Sequence, residues 1–165
     1  MPYSRQRVIS SGNLQLVDRS VTANAEFTVD RDLGLDFRSK DLFGLDLLKY
    51  YAGVYIGEGR NTSNKTVGAG DQGLMYIGRI EIMPFGSFVD YSEADFERSM
   101  TPGLSIGAAY AYIGEAPKTR GILGSTIQDD VWNYHNMTGD IMFKMAGFSL
   151  FSDCLLYTSD AADEW

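Results

Sequence analysis

Hydrophobic and polar positions alternate along much of this chain with period two, the spacing of a β-strand whose two faces meet different surroundings. Residues 104–113 are the clearest case. Leu104, Ile106, Ala108, Tyr110 and Tyr112 fall on one face, and Ser105, Gly107, Ala109, Ala111 and Ile113 on the other. Large apolar residues on one side, small ones opposite and an aromatic pair at the end are the pattern of a transmembrane barrel strand. Such a strand crosses a bilayer in about ten residues, so it leaves no long apolar run.

The same alternation predicts further strands. From Arg31, Leu33, Leu35 and Phe37 alternate with Asp32, Gly34, Asp36 and Arg38; over 49–57, Ala52, Val54 and Ile56 oppose Tyr51, Gly53, Tyr55 and Gly57. A third strand over 74–83 sets Leu74, Tyr76, Ile80 and Ile82 against Met75, Ile77, Arg79, Glu81 and Met83, and Pro84 ends it. A fifth sets Gly139, Ile141, Phe143 and Met145 against Thr138, Asp140, Met142 and Lys144, and an Ala146-Gly147 turn leads into a sixth beginning Phe148-Ser149-Leu150.

Between these, the polar, glycine-rich run 61–73 and residues 114–136 read as exposed loops. Residues 92–98 suggest one short helical turn, and 21–27 have a weakly helical pattern. The run from Cys154 to Glu164 has neither strand nor helix periodicity. It resembles translated adapter sequence, so 153–165 is set aside as a non-native-looking tail.

Composition narrows the picture. The chain has 165 residues, 44% of them hydrophobic, with 18 Gly, 10 Tyr and 9 Phe against 4 Pro, which favours strands and turns. A formal net charge of -8 argues against a nucleic-acid surface. One cysteine excludes an internal disulfide framework and a cysteine-rich metal site. No apolar h-region follows Arg5 and Arg7, so a signal peptide is not expected within the sequence.

Taken in order, Ser10 to Ser20, Asp30 to Leu35, Tyr51 to Arg60, Tyr76-Ile77-Gly78-Arg79-Ile80 with Pro84, and Leu104 to Tyr110 resemble the phosphate-selective porin O/P family, over roughly residues 5–152. The resemblance implies an all-β chain: an antiparallel transmembrane β-barrel fragment of about five to six strands of a porin-sized barrel, with an N-terminal loop segment. It further implies the outer membrane of a Gram-negative bacterium, a homotrimer when full length, and passive diffusion of phosphate or other small polar solutes. Residues 1–30 then form the constriction loop and 31–152 the barrel strands and loops. Calling Ala146-Gly147 periplasmic makes loops 58–73 and 114–137 extracellular.

Selection in such a channel comes from charges lining a low-dielectric path, and arginine suits phosphate through its planar fork of donors. By parity Arg38, Arg79 and Lys144 face the lumen, and Arg5, Arg7 and Arg19 lie in the constriction segment. These six are the candidate substrate contacts. The plainer reading of each is a solvated cation on a polar face, paired with Asp36, Glu81 or Asp140. Tyr50, Tyr110, Tyr112 and Phe143 are candidates for aromatic girdles.

Other chemistry finds little support. His135 is the single histidine, without a second histidine or a cysteine nearby for zinc. Asp129-Asp130 lacks the spacing of an EF-hand. The glycines from Gly68 to Gly73 do not open a helix after a strand, so no nucleotide loop is expected. Neither cofactor, metal nor catalytic residue is assigned. The competing reading is a soluble β-sandwich or small barrel that binds a ligand, in which the apolar faces meet each other instead of lipid.

Overall fold

A computed structural model describes residues 2–16, 18–20, 32–57, 73–116, 118–126 and 132–161. The fold is all-β. The strands are β1 (Gly34–Ser39), β2 (Leu48–Tyr55), β3 (Met75–Ile82), β4 (Gly103–Ala116), β5 (Lys118–Arg120), β6 (Leu123–Thr126), β7 (Trp132–Met145) and β8 (Phe148–Ala161). Six of them form one open antiparallel sheet in the order β1-β2-β3-β4-β7-β8, and β5 and β6 make a separate two-stranded hairpin. A single helical turn, α1 (Arg5–Val8), and a 3-10 turn (Ser11–Asn13) precede the sheet. Among the described residues no helix is long and apolar enough to cross a membrane, which has no bearing on strands.

The alternation expected from the sequence sets the two faces. Arg38, Tyr51, Arg79, Ala109 and Thr138 are successive register partners across β1 to β7, so they share one face, here the inner one. On that face Arg79 is 2% and Glu81 0% exposed, whereas Phe37, Ile80 and Ile106 on the outer face are 70%, 55% and 45% exposed. The usual partition is inverted: charge is covered and apolar surface is open.

The inner face has two zones. Toward the end where β2 leads into residues 58–72, Tyr55, Met75, Ile77, Ala111, Ile113 and Tyr134 cluster with Tyr3, and Ile122 from the β5–β6 hairpin covers them. Toward the opposite end the face is polar, and there residues 2–16, 18–20 and 83–102 fold over it. Ala146 (φ 53) and Gly147 (φ 89) make the tight β7–β8 turn, both in the left-handed region that matches strand twist.

The structure departs from the sequence expectation in several places. Residues 92–98 form no helix; the connection 83–102 runs irregularly along the sheet and is held by Ala146 N–H donating to Ser99 O (2.8 Å). It lies at the same end as the Ala146-Gly147 turn, the end expected to carry only short turns. Within 114–136, β4 runs to Ala116, a small hairpin follows, and β7 starts at Trp132. The first half of β7 turns from aromatic to polar along its inner face, Trp132 and Tyr134 giving way to Asn136 and Thr138, while Asn133 and His135 lie on the outer face, so no clean hydrophobic alternation shows there.

β8 continues to Ala161, through part of the segment set aside as a tail, with Leu155 opposite Thr138 and Tyr157 opposite Asn136. Backbone N–H and C=O groups along the β7 edge pair with any residue but proline. The adjacent Leu155-Leu156-Tyr157, apolar on both faces, hides the period. The weakly helical 21–27, the loop 58–72 and Asp129-Asp130 lie outside the described residues.

Candidate functional site

The inner face positions a buried ionic network where α1 docks on the sheet. Arg5, completely covered at its side chain, donates from Nε to Asp140 Oδ1 (2.6 Å), from Nη1 to Asp90 Oδ2 (3.0 Å) and Asp90 O (3.2 Å), and from Nη2 to Ser105 Oγ (2.7 Å). Its Nη2 also stands 3.6 Å from Glu81 Oε1. One residue of the N-terminal segment therefore meets β3, β4, β7 and the 83–102 connection at once.

Arg79 completes the network from within the sheet. Its Nε donates to Glu81 Oε1 (2.7 Å) and its Nη1 to Tyr3 O (3.2 Å). Nη2 lies 2.6 Å from Asp140 Oδ2, at an angle that makes this a charge contact and not a hydrogen bond. The space for it exists because position 107 is glycine: a Cβ there would collide with Arg79 Nη2 and stand 2.8 Å from Asp140 Oδ1. Tyr91 O–H donates to Glu81 Oε1 (2.6 Å), and Lys49 Nζ donates to both Asp90 oxygens at 2.9 Å.

Three cations, Arg5, Lys49 and Arg79, thus face three carboxylates, Glu81, Asp90 and Asp140. Balance of this kind is what allows charges to remain in a covered place. Burial by itself would lower the Arg5 pKa, but Asp140 and Glu81 outweigh it and hold the guanidinium above its ordinary value. Burial, followed by the charge of Glu81, pushes the Tyr91 hydroxyl far above the usual phenol range. Among the described residues no group of His, Cys, Asp or Glu is disposed to hold a metal ion.

Of the six cations picked from the sequence, Arg5 and Arg79 come together in this network. Both guanidiniums are occupied by carboxylates and carbonyls, so neither offers a free fork to a solute. Arg19 clamps the N-terminal segment, donating to Gln6 O (2.9 Å) and Ile9 O (3.1 Å). Lys144 Nζ holds the 83–102 connection through Val89 O (2.8 Å) and Ala94 O (3.0 Å). Arg7 is half-buried on α1. Only Arg38, with 53% of its side chain exposed, faces open space, and its fork is engaged by Asp36 at 2.9 and 2.5 Å.

Sequence reasoning missed Lys49, Asp90 and Tyr91. Parity could have found Lys49, two residues from Tyr51 on the same face. Asp90 and Tyr91 sit in an irregular connection and give no periodic signal. Beside the network, β1 and β2 and the N-terminal segment enclose an open groove of about 840 Å³, bordered by Asp36, Arg38, Lys49, Tyr51, Tyr55 and Tyr91.

On the outer face, Tyr112 and His135 pack at 4.9 Å between ring centroids, Tyr76 stacks on Tyr112 at 6.4 Å, and Tyr110 O–H lies 2.7 Å from His135 Nδ1. At the opposite end Phe143 packs against Phe148 at 6.4 Å. Comparisons with protein-family models, with curated proteins and with solved structures find no match for this chain.

Proposed function

We propose that this chain forms part of the wall of an outer-membrane porin, a passive diffusion channel for small polar solutes, inorganic anions among them. The observation that carries the reading is the inverted sheet. Leu35, Phe37, Ile80, Ile82, Ile106 and Leu150 stand open on one face while charged residues are covered on the other. In water such a face costs free energy, roughly 25 cal/mol per Å² of apolar surface; against lipid it does not.

Dimensions agree with a bilayer. The outer face is apolar from Leu104, beside Phe143, up to Tyr112, beside His135. Eight steps at roughly 3.4 Å cover about 27 Å along the strand, and a tilt near 40° reduces that to about 21 Å, close to the roughly 25 Å band of membrane barrels. Aromatic rings stand at both borders, where amphipathic groups suit the headgroup region. Six strands are fewer than the eight of the smallest membrane barrels, so in this reading β1 and β8 continue into further strands. The N-terminal segment and residues 83–102, latched by Arg5, Arg19 and Lys144, narrow the lumen.

Reconstitution in planar bilayers of the closed barrel, this chain together with the strands that continue β1 and β8, tests the proposal. A porin wall gives stepwise, ohmic conductance that rises with salt concentration. A cooperatively melting, soluble monomer without channel activity contradicts it and favours the soluble sandwich.

A further inference from the structure

The groove beside the ionic network has a chemistry of its own. Its charged border, as far as the described residues go, is balanced: Asp32, Asp36 and Asp90 against Arg38, Lys40 and Lys49. Most of these charges are already engaged. Arg38 binds both oxygens of Asp36 with Nε and Nη2, Lys49 binds both oxygens of Asp90, and Asp32 Oδ2 accepts from Gly57 N–H at 2.6 Å. An anion seated on Arg38 or Lys49 would displace a carboxylate from its own cation, and a cation seated on Asp36 or Asp90 would displace an arginine or lysine; Lys40 stands exposed at the rim.

A neutral molecule rich in hydroxyl groups faces no such competition. Each hydroxyl both donates and accepts, so it adds to the Arg38–Asp36 pair through the remaining guanidinium N–H groups and carboxylate lone pairs without breaking it. The groove supplies aromatic surface at Tyr51, half-buried and with the Arg38 guanidinium 6.0 Å from its ring centroid, whereas Tyr55 is buried and the Tyr91 ring lies against Arg5 and Lys49. Tyr51, Tyr55 and Tyr91 border it, with Tyr51 and Tyr91 linked at their hydroxyls (3.4 Å) and Tyr55 O–H 3.4 Å from Asp36 Oδ2. Tyrosines offer an apolar ring to the C–H face of a sugar ring and a polar edge to its hydroxyls. At about 840 Å³ the groove lies within the usual size range of small-molecule sites.

We infer that this groove is a binding site for a neutral sugar of one or two rings, with Tyr51 as its stacking surface and the Arg38–Asp36 pair as its hydroxyl-binding edge. The inference deepens the porin reading by naming the solute class, and it rests on that reading only for transport; binding stands on the groove itself.

The test separates the two. The full chain, folded in detergent micelles and checked for β-sheet by circular dichroism, is titrated with maltose by calorimetry, with and without inorganic phosphate. Saturable maltose binding that phosphate does not displace is expected, weakened about tenfold or more by Tyr51→Ala and by Arg38→Gln. Arg98→Ala, remote from the groove, leaves it unchanged, and Tyr51→Phe, which keeps the ring, retains most of it. Overturning results are absence of maltose binding by the folded chain, binding indifferent to both groove substitutions, or displacement of maltose by phosphate. Conductance in planar bilayers is measured separately on the closed barrel, with the strands that continue β1 and β8: absence of channel activity there with maltose binding intact counts against the porin and not against the sugar site.

Discussion

At the scale of residues, Arg5 is the keystone of the inner face. Removing one partner from a covered charge network leaves the others uncompensated, which typically costs about 3–5 kcal/mol. Arg5→Ala is expected to destabilise the folded chain in detergent by about that amount, measured as a lowered urea midpoint at unchanged slope. Arg5→Lys recovers only part, since an ammonium cannot reach Asp140, Asp90 and Ser105 together in the way the guanidinium fork does. Gly107→Val is expected to be comparably harmful, because its side chain enters the space between Arg79 and Asp140. Tyr91 adds a pH signature. Its folded-state pKa lies above the unfolded value of about 10, so its contribution is intact below that pH and declines as pH rises further, with the phenolate absorbance of Tyr91 appearing only on unfolding.

The same residues mark how far a sequence can be read. Arg79, Glu81 and Asp140 were assignable to one face because strand parity is a local property. That Arg5 and Asp90 would converge on them was not, because α1 and the 83–102 connection carry no period and meet the sheet only through tertiary contacts. Arginine clusters read as anion sites until their carboxylate partners are located, and of the three here Glu81 shares β3 with Arg79, Asp140 lies on β7 and Asp90 lies on no strand.

At the scale of elements, the outer and inner faces of one strand obey opposite rules. Ile80→Arg on β3 places a guanidinium on the proposed lipid face and is expected to cost about 2–4 kcal/mol when the protein is folded in bilayers, while remaining tolerated in water. Stability measured in vesicles distinguishes the cases. The β7–β8 pair makes a second point. Its turn was evident from Ala146-Gly147, whereas the mixed aromatic and polar start of β7 and the apolar run Leu155-Leu156-Tyr157 disguised strands that backbone pairing carries to Ala161. Gly147→Val, at φ 89, is expected to weaken this hairpin by about 1–2 kcal/mol, seen as earlier hydrogen exchange along β8.

At the scale of the whole molecule, the all-β class followed from alternation, and the small β5–β6 hairpin did not. The central claim is that the apolar face of the sheet meets lipid. Cys154, the single cysteine, is exposed on that face of β8 and gives a direct handle. A polarity-sensitive fluorophore attached there, and another at Ile80→Cys in a Cys154→Ser background, are compared with one at Tyr51→Cys on the inner face. With the protein folded into vesicles, the account predicts that nitroxide-bearing lipids quench the first two and aqueous iodide quenches the third. Quenching of all three by iodide, with none by the lipid nitroxides, would contradict it.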